Sequence, residues 1–148
     1  MTRNFCFNMR YLIDTNIFVF LALDAEMLSG DTAAIIQEPD TVLCISTESV
    51  RELITGYMSK GLGSKRWKSA EEIINAIKDE FFINIIPVKT EHLRTYARLH
   101  LNTQQDHKNP SDHVIISHAI TEHLPLISSG TRFGYYRTQG LDFIYNQQ

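Results

Sequence analysis

Short apolar segments alternate with segments of helical periodicity along most of the chain, and this alternation limits the possible folds more than any other sequence feature. The apolar segments, which predict buried strands, cover residues 10–14, 41–46, 83–88, 126–128 and 142–145. Because helices separate most of them, the strands are expected to pair in parallel, with helices on both faces of the sheet. The sequence therefore predicts a three-layer α/β/α domain around a central, mainly parallel sheet of four to five strands.

The predicted helices follow the spacing of apolar residues and end at recognisable stop signals. Five residues share one face of the helix that follows the second strand: Val50, Leu53, Ile54, Tyr57 and Met58. That helix is expected to stop at Gly61. Further helices are predicted from residue 15 to about residue 28, and over residues 31–38, 70–81, 90–101 and 110–123.

Length and composition indicate one domain with its own core, since the chain has 148 residues, of which 43% are hydrophobic. The domain is expected to span residues 9–148, and residues 1–8 are interpreted as an N-terminal extension or an upstream start. The net charge of −3 means that any contact with nucleic acid requires a local basic patch. No apolar run approaches the roughly 20 residues of a membrane span. Cys6 and Cys44 lack partner ligands nearby, which indicates reduced cysteines and a cytoplasmic location.

Three carboxylates stand where a predicted strand or helix meets its loop. Asp14 follows the first strand, Glu52 lies in the helix after the second strand, and Asp112 lies near the start of the last long helix. Each lies beside apolar residues, and burying a lone carboxylate is costly unless it is paired or bound to metal. Ligands of parallel α/β folds bind beyond the carboxyl ends of the strands. Carboxylates gathered there would form an oxygen-lined pocket for a hard divalent cation.

Short motifs carry these acids in a fixed order. They are Leu12-Ile-Asp-Thr-Asn16, Glu52-Leu-Ile-Thr-Gly56, and Pro110-Ser-Asp-His113 followed by Ile115-Ile-Ser-His-Ala119. With these motifs, the chain from Met9 onward resembles the PIN-domain family, and in particular the VapC-type toxin ribonucleases of bacterial toxin–antitoxin pairs.

The resemblance implies hydrolysis of RNA phosphodiester bonds with Mg²⁺ or Mn²⁺ held by Asp14, Glu52 and Asp112. The implied partners are an RNA substrate, a second copy of the chain in a homodimer, and a cognate antitoxin. An antitoxin segment is expected to dock on the helices around residues 50–82 and to deliver a basic side chain to the acidic pocket. No membrane partner is expected.

Three polar residues beside the acids are supporting candidates. The side chains of Thr15, Asn16 and Ser128 are expected to hydrogen-bond a ligand carboxylate or a metal-bound water. The alternatives are helix capping by Thr15 or Asn16 and turn formation by Ser128, and both roles are compatible with the first.

Gly130 departs from the family pattern, because the family's last motif is a strand followed by Thr or Ser, a variable residue and then Asp. Here Ser128-Ser-Gly130 occupies that stretch, and Asn109 replaces an Asp that many relatives carry. Missing acids are expected to weaken cation binding. The alternative function is therefore a catalytically impaired PIN domain that binds RNA or an antitoxin. A nuclease of ribosomal or messenger RNA processing, outside any toxin pair, is a third hypothesis.

The candidates for RNA contact outside the acidic pocket are Lys65, Arg66, Trp67, Lys68 and His113. Trp67 is expected either to stack on a base or to pack against the core or an antitoxin, and His113 either to contact substrate or to be solvated. The histidines do not predict a zinc site. His113 and His118 are five residues apart, as are His118 and His123, so neither pair shares a helix face.

Overall fold

The computed structural model describes residues 9–147, so the extension predicted for residues 1–8 lies outside the described residues. Within this range one sheet contains β1 (Met9–Ile13), β2 (Thr41–Ser46), β3 (Asn84–Ile86), β4 (Leu126–Ser128) and β5 (Phe143–Tyr145). The strand order is β3-β2-β1-β4-β5, and all neighbouring strands are parallel. The predicted parallel sheet is confirmed.

Helices connect the strands. They are α1 (Thr15–Leu23), α2 (Gly30–Gln37), α3 (Thr47–Lys60), α4 (Ala70–Asn75), α5 (Thr90–Arg98) and α6 (Pro110–Glu122). Short 3₁₀ segments lie at Ala25–Met27 and Phe133–Gln139, and a π-helical turn at Ala76–Glu80 extends α4. Across the described residues, every helix is too short or too polar to cross a bilayer.

Side-chain caps fix where α3 and α6 begin, and both helices carry predicted acids near that end. The Ser46 hydroxyl accepts the N–H of Glu48 at 3.1 Å, which starts α3 directly after β2. α3 ends at Gly61, whose φ of 69° is the left-handed conformation that glycine adopts without strain. Asn109 caps α6, and Pro110 occupies the first turn, where its missing N–H costs nothing.

The sheet separates two apolar cores, because successive side chains of a strand point to opposite faces. On one face, Ile13 and Ile45 pack with residues of α1, α3 and α4. On the other face, Leu12 and Cys44 pack with residues of α6 and of the 3₁₀ segment before β5. α5 packs against α6 on that second face. The predicted three-layer α/β/α architecture is confirmed.

The structure corrects several predicted boundaries. The third strand ends at Ile86, two residues early, because Pro87 has no N–H and the next N–H donates to Thr47 Oγ1 at 3.0 Å. The first helix ends at Leu23, so Leu28 lies outside it. The 3₁₀ segment before β5 has no counterpart among the predicted elements, since so short a segment carries little periodic signal.

The central strand β1 has later strands on both of its sides. β2 and β3 lie on one side of β1, and β4 and β5 lie on the other. The crevice beyond the carboxyl ends of β1 and β4 is therefore a topological switch point, where folds of this kind bind ligands. Asp14 follows β1 and Ser128 ends β4, and their side chains are hydrogen-bonded across this crevice.

Candidate active site

Asp14 is held at the switch point by hydrogen bonds to both of its carboxylate oxygens. The Thr15 N–H donates to Oδ1 at 2.8 Å, and the Ser128 hydroxyl donates to Oδ2 at 2.6 Å. The Gly130 N–H in turn donates to the Ser128 hydroxyl at 3.0 Å, so Ser128 both orders the turn and holds Asp14. Asp14 itself caps α1, and the alternative of capping by Thr15 or Asn16 is wrong.

Thr15 joins Asp14 to Glu52. Its backbone N–H donates to Asp14, and its hydroxyl donates to Glu52 Oε1 at 2.5 Å. Glu52 lies in the second turn of α3, so this contact ties the start of α1 to α3. Asn16 is exposed on α1, and within residues 9–147 its side chain makes no hydrogen bond to either acid. The structure places Thr15, but not Asn16, against the carboxylates.

Asp112 lies in the first turn of α6, and His107 Nε2 is 2.9 Å from its Oδ2. His107 belongs to the loop before α6 and is 3% exposed. Burial lowers the pKa of His107, and the charge of Arg132 lowers it further, so both favour the neutral ring. No sequence pattern predicts this contact, because His107 lies in a polar loop without periodicity.

The three carboxylates act on one another electrostatically. Burial raises the pKa of Asp14 to about 6, and the charge of Asp112 adds to the increase against an opposing hydrogen bond from Ser128. Burial and the charge of Glu52 raise the pKa of Asp112 to about 7. Burial raises the pKa of Glu52, and the charge of Asp14 contributes. The structure therefore brings these three predicted residues close enough to interact electrostatically, although their ligand atoms do not all lie within 4.8 Å of one another.

The donor atoms of this pocket fit a hard divalent cation. One oxygen of Glu52 accepts a hydrogen bond from the Thr15 hydroxyl, and one oxygen of Asp112 is hydrogen-bonded to His107. Among the described residues, no hydrogen bond reaches the second oxygen of either carboxylate. Free carboxylate oxygens on like-charged groups are the ligands that Mg²⁺ and Mn²⁺ prefer, and a bound cation would relieve the repulsion that raises the pKa values.

Two arginines lie at the rim of the acidic pocket. Arg51 Nη2 contacts Glu48 Oε2 at 2.5 Å and Ser111 Oγ at 2.7 Å, so its guanidinium bridges the starts of α3 and α6. Burial and the charge of Glu52 raise the pKa of Asp112, and the charge of Arg132 lowers it. Neither arginine was among the predicted site residues. Glu48 and Arg51 are three residues apart on one helix, and this spacing could have predicted their ion pair.

Gly130 is required by the close approach of Phe133. A Cβ atom at Gly130 would lie 2.5 Å from two ring carbons of Phe133, whereas the glycine's own backbone conformation suits any residue. Phe133 is 2% exposed and belongs to the core beside α6, so its ring has little room to move. An aspartate at position 130 would therefore need a rearranged core as well as a new charge.

The proposed contact of Trp67 and His113 with RNA is wrong, because both side chains are buried. Trp67 is 3% exposed and stacks on Phe18 with ring centroids 6.1 Å apart, which is the alternative of core packing. His113 is 2% exposed, and its Nε2 donates to the His107 carbonyl at 3.0 Å, so solvation is wrong as well.

The basic residues around Trp67 differ in how they are engaged. Arg66 pairs with Glu80 and donates to the Ala22 carbonyl at 2.8 Å, which ties it to the protein. Lys65 and Lys68 are exposed. RNA contact by Lys65, Arg66 and Lys68 stays a prediction.

A second titratable cluster contains His92, His118 and Glu122, whose nearest ligand atoms lie within 4.8 Å of one another. The Lys89 N–H donates to His92 Nδ1 at 2.8 Å, so in the neutral ring the proton is on Nε2 and is donated to Glu122 at 2.6 Å. A protonated nitrogen is not a metal ligand, and the arrangement is therefore a hydrogen-bonded pair. The spacing of histidines along one helix does not reveal His92, because it lies on α5.

Comparisons with known proteins place the chain in a family. The family model of the PIN domain matches residues 11–138. The chain is similar to VapBC-1 from nontypeable Haemophilus influenzae, with 21% identity, a TM-score of 0.68, and coverage of 95% of this chain and 100% of that chain. For VapBC2 from Rickettsia felis, bound to a DNA fragment from their promoter, identity is 20%, the TM-score is 0.66, and coverage is 93% and 98%.

A third similar structure is VapBC-5 from Mycobacterium tuberculosis, described as a member of the VapBC family of toxin–antitoxin systems. Its identity is 18%, its TM-score is 0.61, and coverage is 94% of this chain and 98% of that chain. At these low identities, the structural similarity shows a shared fold alone. No curated protein matches the chain.

Proposed function

Because the chain belongs to the PIN domain family, we propose that it is a nuclease of the VapC type, namely a metal-dependent endoribonuclease and the toxin of a toxin–antitoxin pair. The observation that carries this proposal is the proximity of buried Asp14 to half-buried Glu52 and Asp112, since each of the three alters the pKa of another. Three mutually repelling carboxylates at a topological switch point are what a cation-dependent phosphodiesterase requires.

In the proposed reaction Asp14, Glu52 and Asp112 hold Mg²⁺ or Mn²⁺. When bound, the cation supplies charge neutralisation at the phosphate and a lower pKa for the attacking water. Thr15 and Ser128 donate hydrogen bonds that keep the carboxylates in place and leave oxygens free for the cation. Asp14 and Asp112 lie at the starts of α1 and α6, and Glu52 lies within α3, so regular structure carries all three and little reorganisation is needed when the site fills.

RNA is the proposed substrate, and its backbone needs positive charge near a pocket that is itself negative. Arg51 and Arg132 lie beside Glu52 and Asp112, where a guanidinium can bind the phosphates next to the one that is cleaved. Lys65 and Lys68 would extend this path along the surface.

The proposed partners are a cognate antitoxin and a second copy of the chain. Met58 and Phe82 are exposed by 73% and 78%, and both belong to the helical region around residues 50–82 where the antitoxin segment is expected. Such apolar exposure supports a docking surface, and a basic side chain from the antitoxin would satisfy the acids in place of metal. Co-expression with any small reading frame found beside this gene, followed by light scattering, tests both partners. A strictly monomeric protein with no neighbouring partner would contradict them.

The alternative function, a catalytically impaired PIN domain that binds RNA or an antitoxin, is favoured by one observation. Position 130 carries glycine, and the core is packed against it. Mn²⁺ binding and RNA binding without cleavage would support this alternative.

The proposed function is tested by cleavage of a mixed-sequence RNA in Mn²⁺. Wild-type protein should cut the RNA, Asp14→Asn should not, and Asp79→Asn, which changes an exposed acid on the π-helical turn, should match the wild type. Cleavage that survives in Asp14→Asn, or that does not need a divalent cation, would refute the proposal.

A further inference from the structure

We propose that His107 is a positioning residue of the acidic site, which holds Asp112 in the orientation that the cation requires. The inference rests on the proposed function, because it assigns to His107 a role toward the cation. His107 lies in the loop between α5 and α6, and neither the sequence motifs nor the family pattern mark it.

A chain of hydrogen bonds determines which nitrogen of His107 carries the proton. The Asn102 N–H donates to the Tyr136 hydroxyl oxygen at 3.0 Å, and this hydroxyl lies 3.1 Å from His107 Nδ1. The carboxylate opposite Nε2 can only accept when it is ionised, so the proton of the neutral ring belongs on Nε2 and the Tyr136 hydroxyl donates to Nδ1. A neutral imidazole whose Nδ1 accepts must carry its proton on Nε2. His107 therefore donates from Nε2 to Asp112 Oδ2 at 2.9 Å.

The ring of His107 has little freedom to leave this position. Its edge-on contacts with His113 and Tyr136 have centroid distances of 4.7 and 5.6 Å, and its ring lies 5.5 Å from that of Phe133. Its backbone is also fixed, because the His107 N–H donates to the Asn102 carbonyl at 3.0 Å and the His107 carbonyl accepts from His113. The donor is thus aimed by packing on three sides.

The two oxygens of Asp112 therefore have different roles. Oδ2 is committed to His107, which sets the plane of the carboxylate and leaves Oδ1 for the pocket. Histidines and carboxylates that hold metal ligands in this way change metal affinity by about 10–100-fold when they are removed. His107 is expected to act at that magnitude although it never touches the cation.

The test measures the affinity of the purified protein for Mn²⁺ alone, by calorimetry. His107→Phe keeps a ring in the packed site but has no nitrogen, and His107→Gln places an amide N–H near the position of Nε2. His107→Phe should bind Mn²⁺ about 10–100-fold more weakly than the wild type, and His107→Gln should recover most of the loss. His92→Phe removes a buried histidine bonded to Glu122 at the far end of α6 and serves as the matched control, with unchanged affinity.

The outcomes separate His107 from the proposed function. Wild-type protein with no affinity for Mn²⁺ would contradict the metal site itself. Unchanged affinity in His107→Phe, beside a wild type that binds, would overturn only the role of His107. Equal losses in His107→Phe and His107→Gln would indicate packing instead of a donated hydrogen bond and would also overturn it.

A second measurement applies if His107→Phe does not fold. Two-bond ¹⁵N–¹H NMR spectra of the wild type report the imidazole tautomers directly. A proton on Nε2 of His107 in the metal-free and Mg²⁺-containing protein is expected, and Tyr136→Phe should change the Nδ1 signal of this ring. A proton on Nδ1 would overturn the inference.

Discussion

A histidine–carboxylate pair lies at each end of helix α6, and the two pairs differ in what surrounds them. At the N-terminal end, His107 lies 2.9 Å from Asp112, and at the C-terminal end, His92 lies 2.6 Å from Glu122. Burial and the charge of Glu52 raise the pKa of Asp112 to about 7. The hydrogen bond from His92 lowers the pKa of Glu122, which is only slightly buried.

The helix dipole predicts the opposite order, because it favours negative charge at the N-terminus and disfavours it at the C-terminus. Burial and neighbouring carboxylates outweigh the dipole at Asp112. Histidine contact alone is therefore a poor guide to the active site of this fold. The informative feature is crowded negative charge that the protein leaves uncompensated and that a cation can neutralise.

The largest expected difference between the two ends is in catalysis. Asp112→Asn should lower the rate of RNA cleavage in Mn²⁺ by about 100-fold or more, because it removes a charged ligand and keeps the shape of the side chain. Glu122→Gln should leave the rate unchanged. Initial rates on one RNA at matched protein concentration measure both. Similar losses in the two variants would end the distinction between the pairs.

A fourth acid at the N-terminal end would sharpen the comparison, and Gly130→Asp introduces one. The new Cβ would meet the Phe133 ring, so the single variant should lose about 1–3 kcal/mol of stability in urea unfolding. Phe133→Leu should make room for it. The double variant should then bind Mn²⁺ more tightly and cleave RNA faster than Phe133→Leu alone. If it cleaves no faster, three acids suffice and the site is not impaired.

The two ends should also differ in the stability of the metal-free protein. The raised pKa of Asp112 means that its carboxyl group binds a proton more tightly in the folded state than in the unfolded chain. Unfolding therefore releases protons, and high pH favours the unfolded state. Asp112→Asn should therefore raise the free energy of unfolding at pH 8 in EDTA by about 1–3 kcal/mol. Glu122→Gln should lower it, because the lowered pKa of Glu122 reflects a favourable contact.

The pH dependence of stability checks the predicted increase in the free energy of unfolding of Asp112→Asn. The advantage of Asp112→Asn over the wild type should grow as the pH rises from about 4 to about 7, the interval between the pKa values of the unfolded and folded states. Urea unfolding at pH 5 and pH 8 measures it. An advantage that shrinks over this interval would mean that Asp112 is stabilised as an anion in the metal-free fold.

The smallest expected effect concerns the arginine at the rim of the N-terminal pair. Arg51→Gln, in the Asp14→Asn background that prevents cleavage, should weaken RNA binding a few-fold and reduce the salt slope of log K by about 1. Arg98→Gln changes an exposed arginine on α5 and serves as the control. Fluorescence anisotropy at several salt concentrations measures both. Identical behaviour of the two variants would exclude Arg51 from the RNA path.

Local patterns predicted much of the fold and the acids at the element ends. The bounds of β2 and β4 match the predicted segments, because a short apolar run between polar or turn residues defines each of them within a few positions. Asp14 could be placed because it directly follows a buried strand, and parallel strands bring their carboxyl ends to one edge. These inferences needed no knowledge of long-range contacts.

The remaining features depend on residues that are far apart in sequence. Trp67 has charged neighbours that suggest a surface loop, but Phe18 from α1 covers it. The partners of His107 and His92 lie on other elements, and no spacing within one helix reveals them. Gly130 shows its constraint only through the orientation of the Phe133 ring.

The central claim is that Asp14, Glu52 and Asp112 form one cation site, and calorimetric titration with Mn²⁺ tests it most directly. Wild-type protein and Asp79→Asn should bind Mn²⁺ with the same affinity, whereas Asp14→Asn, Glu52→Gln and Asp112→Asn should each lose the same binding event. Pairwise combinations should lose nothing further, because residues of one site are not additive. If any one of the three single variants binds Mn²⁺ as tightly as the wild type, the three carboxylates do not form a common site and the account is contradicted.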